Sequence, residues 1–144
     1  MFLKIFTTAL ALSTFPLLIS TLGINCRGAS ECSIHESETA NGLYRLAQYV
    51  NTTMPNATYL DDGTKIACLP GSYDQNNGNG GLCAYLQNGA NATGADLVVL
   101  MQGLLKHGCK KCGSIPTTPG NNVNNGELTV NWNSHANHCS GLCG

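Results

Sequence analysis

The chain has 144 residues, of which eight are cysteines, 17 are glycines and only 10% are charged, and its formal charge is −1. That length is one domain, and the charge excludes a strongly basic nucleic-acid binder. An even number of cysteines in a short chain, with few charges and many Gly and Asn residues, predicts a loop-rich, covalently stapled fold rather than an ordinary cytosolic enzyme.

Residues 1–21 read as a secretory signal peptide. Lys4 is the cation, Ala9 to Ile19 is largely apolar, and Ser20, Thr21 and Gly23 supply the small residues of a cleavage region. Thr7, Thr8, Ser13, Thr14 and Pro16 interrupt the run and no cationic stop-transfer cluster follows, so no stable membrane anchor is expected. The secreted domain is then 22–144. Without Lys4 it carries six cations against eight acids, a balance of −2. Three Asn-x-Ser/Thr sequons, at Asn51, Asn56 and Asn91, agree with secretion and are candidate glycosylation sites.

The first predicted helix covers Glu36 to Val50, with Leu43, Leu46, Ala47 and Val50 on one stripe and Gly42 counting against it. Strands are expected at Thr64–Leu69 and Gly81–Leu86, joined by a turn-rich loop, with Asp61 and Asp62 before Gly63 as turn residues. A second helix starts at a capping box of Thr93 and Asp96 and carries Leu97, Leu100, Met101, Leu104 and Leu105 along one face. It ends with Lys106, His107 and a natural C′ residue, Gly108. Strands at Lys111–Thr117 and Glu127–Asn133 follow. Helix, two strands, helix, two strands is an α+β order, with a largely antiparallel sheet covered by helices on one face.

Eight cysteines allow 105 connectivities. Cys68 and Cys83 sit on the two arms of the predicted hairpin, within bonding reach. Cys26 and Cys32 are spaced to straddle the CxxC, which suggests Cys26 with Cys109 and Cys32 with Cys112 and leaves Cys139 with Cys143. A zinc knuckle at Cys109 and Cys112 with His138, Cys139 or Cys143 is disfavoured in an oxidising secretory route. A thioredoxin-type CxxC would open a helix, whereas this one follows a helix end. Asp74, Asn76, Gly78 and Asn79 resemble a calcium loop superficially, but the required Gly and distal Glu are missing. No nucleophile elbow, HExxH or phosphate loop is present, and His35, His107, His135 and His138 have no paired nucleophile. No enzyme activity, cofactor or metal is expected. One charged feature stands out: Lys106, His107, Lys110 and Lys111 gather at the second helix end, either as helix-dipole compensation or as a contact patch for an anionic partner.

Three segments, LGINCRGASEC (Leu22–Cys32), HGCKKCGS (His107–Ser114) and GNNVNNGELTVNW (Gly120–Trp132), together resemble the killer protein 4 family of virus-encoded fungal killer toxins. The resemblance implies a disulfide-rich α/β sandwich, with a five-stranded antiparallel sheet under two antiparallel helices. It further implies a secreted, non-enzymatic toxin that blocks calcium uptake at a cell-surface target, a calcium channel of a competing fungus or host. The lysine on which the family's activity depends lies shortly before the cysteine matching Cys68, and Lys65 is its nearest counterpart. The protein is expected to act as a monomer. The alternative on the same scaffold is a non-toxic secreted surface protein, such as a wall-associated or glycan-binding module, for which the acidic balance and the sequons speak.

Overall fold

The structure is a computed structural model that describes residues 22–34, 40–71, 80–136 and 139–143. The expected signal peptide, His35, Glu36 and Glu38, the calcium-like Asp74 to Asn79 stretch and His138 lie outside the described residues. The elements are α1 (Glu31–Ile34), α2 (Gly42–Thr53), β1 (Tyr59–Leu60), β2 (Lys65–Pro70), β3 (Gly81–Gln87), β4 (Ala92–Thr93), α3 (Gly94–His107), β5 (Gly113–Pro116), β6 (Glu127–Asn133) and β7 (Gly141–Leu142). A 3-10 turn at Val123–Asn125 precedes β6.

Strand alternation decides where the helices go. On β3, Leu82, Ala84 and Leu86 point to one face, and on β6 so do Leu128, Val130 and Trp132. These meet Leu43, Leu46, Ala47 and Val50 of α2 and Leu97, Met101 and Leu104 of α3 in one core. A bulge between Lys65 and Ala67 turns Ile66 and Ala67 both toward that core. The five-stranded sheet runs β5-β6-β3-β2-β7, antiparallel throughout. Its outer strands are short, and the N-terminal segment bridges β5 through Asn25 and Ser114, so little flat edge is left for pairing with another chain.

The second helix matches the sequence expectation closely. Thr93 caps α3: its hydroxyl accepts from the Asp96 amide at 3.2 Å and donates to the Asp96 carboxylate at 2.6 Å, while the Thr93 amide donates to the same carboxylate at 2.9 Å. These bonds to Thr93 hold the Asp96 carboxyl below its ordinary value. Gly108 closes the helix at φ 98°, a left-handed conformation that suits glycine.

The first helix differs from its expectation. It begins at Gly42 rather than Glu36 and extends to Thr53. Gly42 is no weak point: a Cβ there would run into the Leu82 side chain, so the absent side chain lets the helix start settle on the sheet. The third expected strand contracts from Lys111–Thr117 to Gly113–Pro116, because residues 109–112 are occupied by two disulfides instead of a ladder. Three short strands had no signal in the sequence. β1 and β4 pair as Tyr59 with Thr93 and Leu60 with Ala92, and β7 lies along β2 with Leu142 opposite Ala67. Two-residue strands are made by their neighbours and have no period of their own.

Hydrogen bonds at both ends show that α2 and α3 run antiparallel. The Leu43 amide at the start of α2 donates to the Lys110 carbonyl beyond the end of α3 at 3.4 Å. At the other end, the Ala95 amide in the first turn of α3 donates to the Asn56 carbonyl just beyond α2 at 3.2 Å. Among the described residues no helix is long and apolar enough to cross a membrane.

Candidate functional site

The four disulfides are Cys26–Cys109, Cys32–Cys112, Cys68–Cys83 and Cys139–Cys143, and no described cysteine is free. The first two bind the N-terminal segment to the turn after α3. The other two sit against each other on the sheet face turned away from the helices, where the Cys68 and Cys143 sulfurs are 3.8 Å apart and pack with Ala136 and Tyr85. The CxxC sulfurs are thus spent in cross-links, and the cluster of Cys68, Cys139 and Cys143 consists of bonded sulfurs that do not offer thiolates to a metal.

Lys106 and His107 occupy the last turn of α3, and Lys110 and Lys111 follow on the turn between Cys109 and Cys112. Lys106, His107 and Lys110 are exposed and Lys111 is half-buried. A cleft of about 270 Å³ opens between this turn and the N-terminal segment, lined by Gly28, Ala29, Ser33, Lys110 and Lys111 and walled by both disulfides. The structure adds one cation that the sequence cluster lacked, Arg45, carried in by the first turn of α2, which abuts Lys110. Arg27, although next to Cys26, does not line this cleft. Nothing local marked Arg45, since only the antiparallel docking of α2 brings it there.

Lys65 lies elsewhere. It pairs with Tyr85 on the sheet, on the face turned away from the helices. Its Nζ donates to the backbone carbonyls of His135 at 3.2 Å and Ala136 at 3.5 Å, so the ammonium ties the segment after β6 to β2. The neighbouring Tyr85 hydroxyl is pushed above its ordinary value, chiefly by burial, with a hydrogen bond to Asn131 opposing and the Glu127 charge adding to the rise. Asn51, Asn56 and Asn91 are all exposed.

On the same far face a second, polar cleft of about 360 Å³ lies over β5, β6 and the end of β3. Asn25, Arg27, Ser114, Glu127, Thr129 and Asn131 contribute to it. The Ser114 and Thr129 hydroxyls are hydrogen-bonded at 2.9 Å, and the Glu127 carboxylate accepts from the Asn88 side-chain Nδ2 at 3.0 Å.

A small α+β sandwich, cross-linked four times and presenting a rigid cationic end, is built as a disulfide-locked protein of the killer-toxin type. The family model Kp4 matches residues 8–134, and the chain belongs to the Kp4 family. It is similar to the KP4 killer toxin of Ustilago maydis P4 virus, at 29% identity over 116 residues that cover 80% of this chain and 83% of the toxin.

Proposed function

We propose that this killer-toxin-like protein is secreted and arrests competing cells by occupying a surface target and blocking calcium entry, with no chemical step of its own. The observation that carries the reading is similarity to the KP4 killer toxin over 83% of that toxin's length. A cross-linked scaffold that holds its surface rigid supports it, because preorganised contacts lose little freedom on binding. The test applies purified, oxidised protein at micromolar concentration to sensitive fungal hyphae and records growth and calcium influx. The expected result is arrest with reduced influx, relieved by added calcium. Normal growth with unchanged influx overturns the proposal.

The polar far-face cleft favours a second reading, a wall-associated glycan-binding module. Its amide, hydroxyl, carboxylate and guanidinium lining suits a hydroxyl-rich chain. Fractionation separates the two: a wall module stays with the wall, whereas a diffusing toxin stays in the medium.

A further inference from the structure

The antiparallel helices sort the surface charge into two poles. At the end formed by the start of α2 and the close of α3 lie Arg45, Lys106, His107, Lys110 and Lys111. Among the described residues these include every Lys and Arg except Lys65 and Arg27, which lines the far-face cleft, and Glu31 is the one acid there; Glu36 and Glu38, between α1 and α2 in sequence, lie outside the described residues. At the opposite end, where α2 closes and α3 starts, lie Asp96 in the capping box and Asp61 and Asp62 in the turn beyond β1. The three sequons gather at this acidic end as well. Asn51 is in the last turn of α2, Asn56 is hydrogen-bonded through its carbonyl to the start of α3, and Asn91 immediately precedes β4.

The 14 residues of α3 separate the poles by about 20 Å at 1.5 Å per residue. The Debye length at physiological salt is about 8 Å, so the acidic pole is screened from anything touching the basic one. A partner therefore meets the local cationic charge, and the balance of −2 over 22–144 says little about what the protein binds.

We propose that the basic pole is the docking surface, that its partner is a protein with an acidic extracellular surface, and that the N-glycans on the other pole leave this surface bare. This deepens the toxin reading by naming the face and the partner chemistry, and it rests on that reading only for the identity of the target cell. A protein fits better than an anionic membrane. Beside the cations stand Tyr44, 54% exposed next to Arg45, and Ile34, 72% exposed close to Cys32. Tyr and Arg are the residues that anchor protein interfaces, whereas a membrane-seated surface needs a broad apolar face that two side chains do not make.

The experiment uses the full secreted, glycosylated protein and protoplasts of a sensitive fungus, with and without surface proteolysis, beside phosphatidylserine-containing vesicles. Binding is expected to fall steeply with salt, to be lost after proteolysis, and to be weak on vesicles. K106E/K110E, both exposed and checked for a native thermal transition, is expected to lose on the order of tenfold or more in affinity. D61K/D62K at the other pole and N51Q/N56Q/N91Q are expected to bind as the parent does. Equal binding by K106E/K110E, no binding to protoplasts, or binding that survives proteolysis and transfers to vesicles overturns the proposal. Growth and calcium influx are recorded in parallel. Arrest that K106E/K110E leaves intact refutes the basic pole while the toxin reading stands. Charge-dependent binding without arrest refutes the toxin reading while the docking surface stands.

Discussion

Cys26–Cys109 and Cys32–Cys112 join the same two segments, which makes their contributions to stability interdependent. The bonded residues are 83 and 80 positions apart. In the chain-entropy account, the first cross-link across such a loop takes about 4.5 kcal/mol of freedom from the unfolded chain. Once one bond is present, the other closes a ring of only about nine backbone steps, along 26–32 and 109–112, and adds about 2.5 kcal/mol. Removing one bond, as C26A/C109A or as C32A/C112A, is therefore expected to cost about 2.5 kcal/mol, and removing both about 7 kcal/mol. The excess over two independent losses is roughly 2 kcal/mol, well above the scatter for uncoupled sites. Local effects of the alanines cancel in this cycle. Urea unfolding of the four proteins measures it, through the midpoints at a common slope. Losses that merely add, or a single-bond variant as unstable as the one lacking both, refute the reasoning.

T93A is expected to lower stability by about 1 kcal/mol through the lost cap of α3, read by thermal unfolding. The Asp96 carboxyl lies lower in the folded chain than in the unfolded one, so its contribution is present above the unfolded value and lost as pH falls through the folded one. D96N is therefore expected to flatten the acid limb of the unfolding profile, and an unchanged limb refutes the capping role. Spectrophotometric titration is expected to find Tyr85 ionising above the ordinary phenol value, because burial raises it. That contribution is present below the unfolded value and lost as pH rises through the folded one, and Y85F is expected to remove the late step. K65M is expected to cost about 1 kcal/mol and to speed amide exchange at residues 134–136, since it removes the ammonium from two carbonyls. Unchanged exchange there refutes the clamp.

Much of this protein was legible from local chemistry. The capping box at Thr93, the terminal Gly108, the apolar stripe of α3 and the period-two pattern of β3 and β6 are set by neighbours a few residues away, and short-range signals fix them. The CxxC spacing matched to Cys26 and Cys32 carried two long-range bonds, because only paired spacings can be satisfied together. The rest needed partners distant in sequence. Gly42 reads as a helix breaker until Leu82 packs against it, and β7 exists only because β2 offers it a ladder. Nothing near Lys65 in the sequence marks the carbonyls of His135 and Ala136 to which its ammonium donates. Composition gave a weakly acidic molecule, and the number was correct for the chain as a whole. Charge is additive along a sequence, but the field a partner meets depends on where the fold puts each charge. Antiparallel docking of α2 on α3 sends Arg45 to join Lys106 and Lys110 at one pole and leaves Asp61, Asp62 and Asp96 at the other.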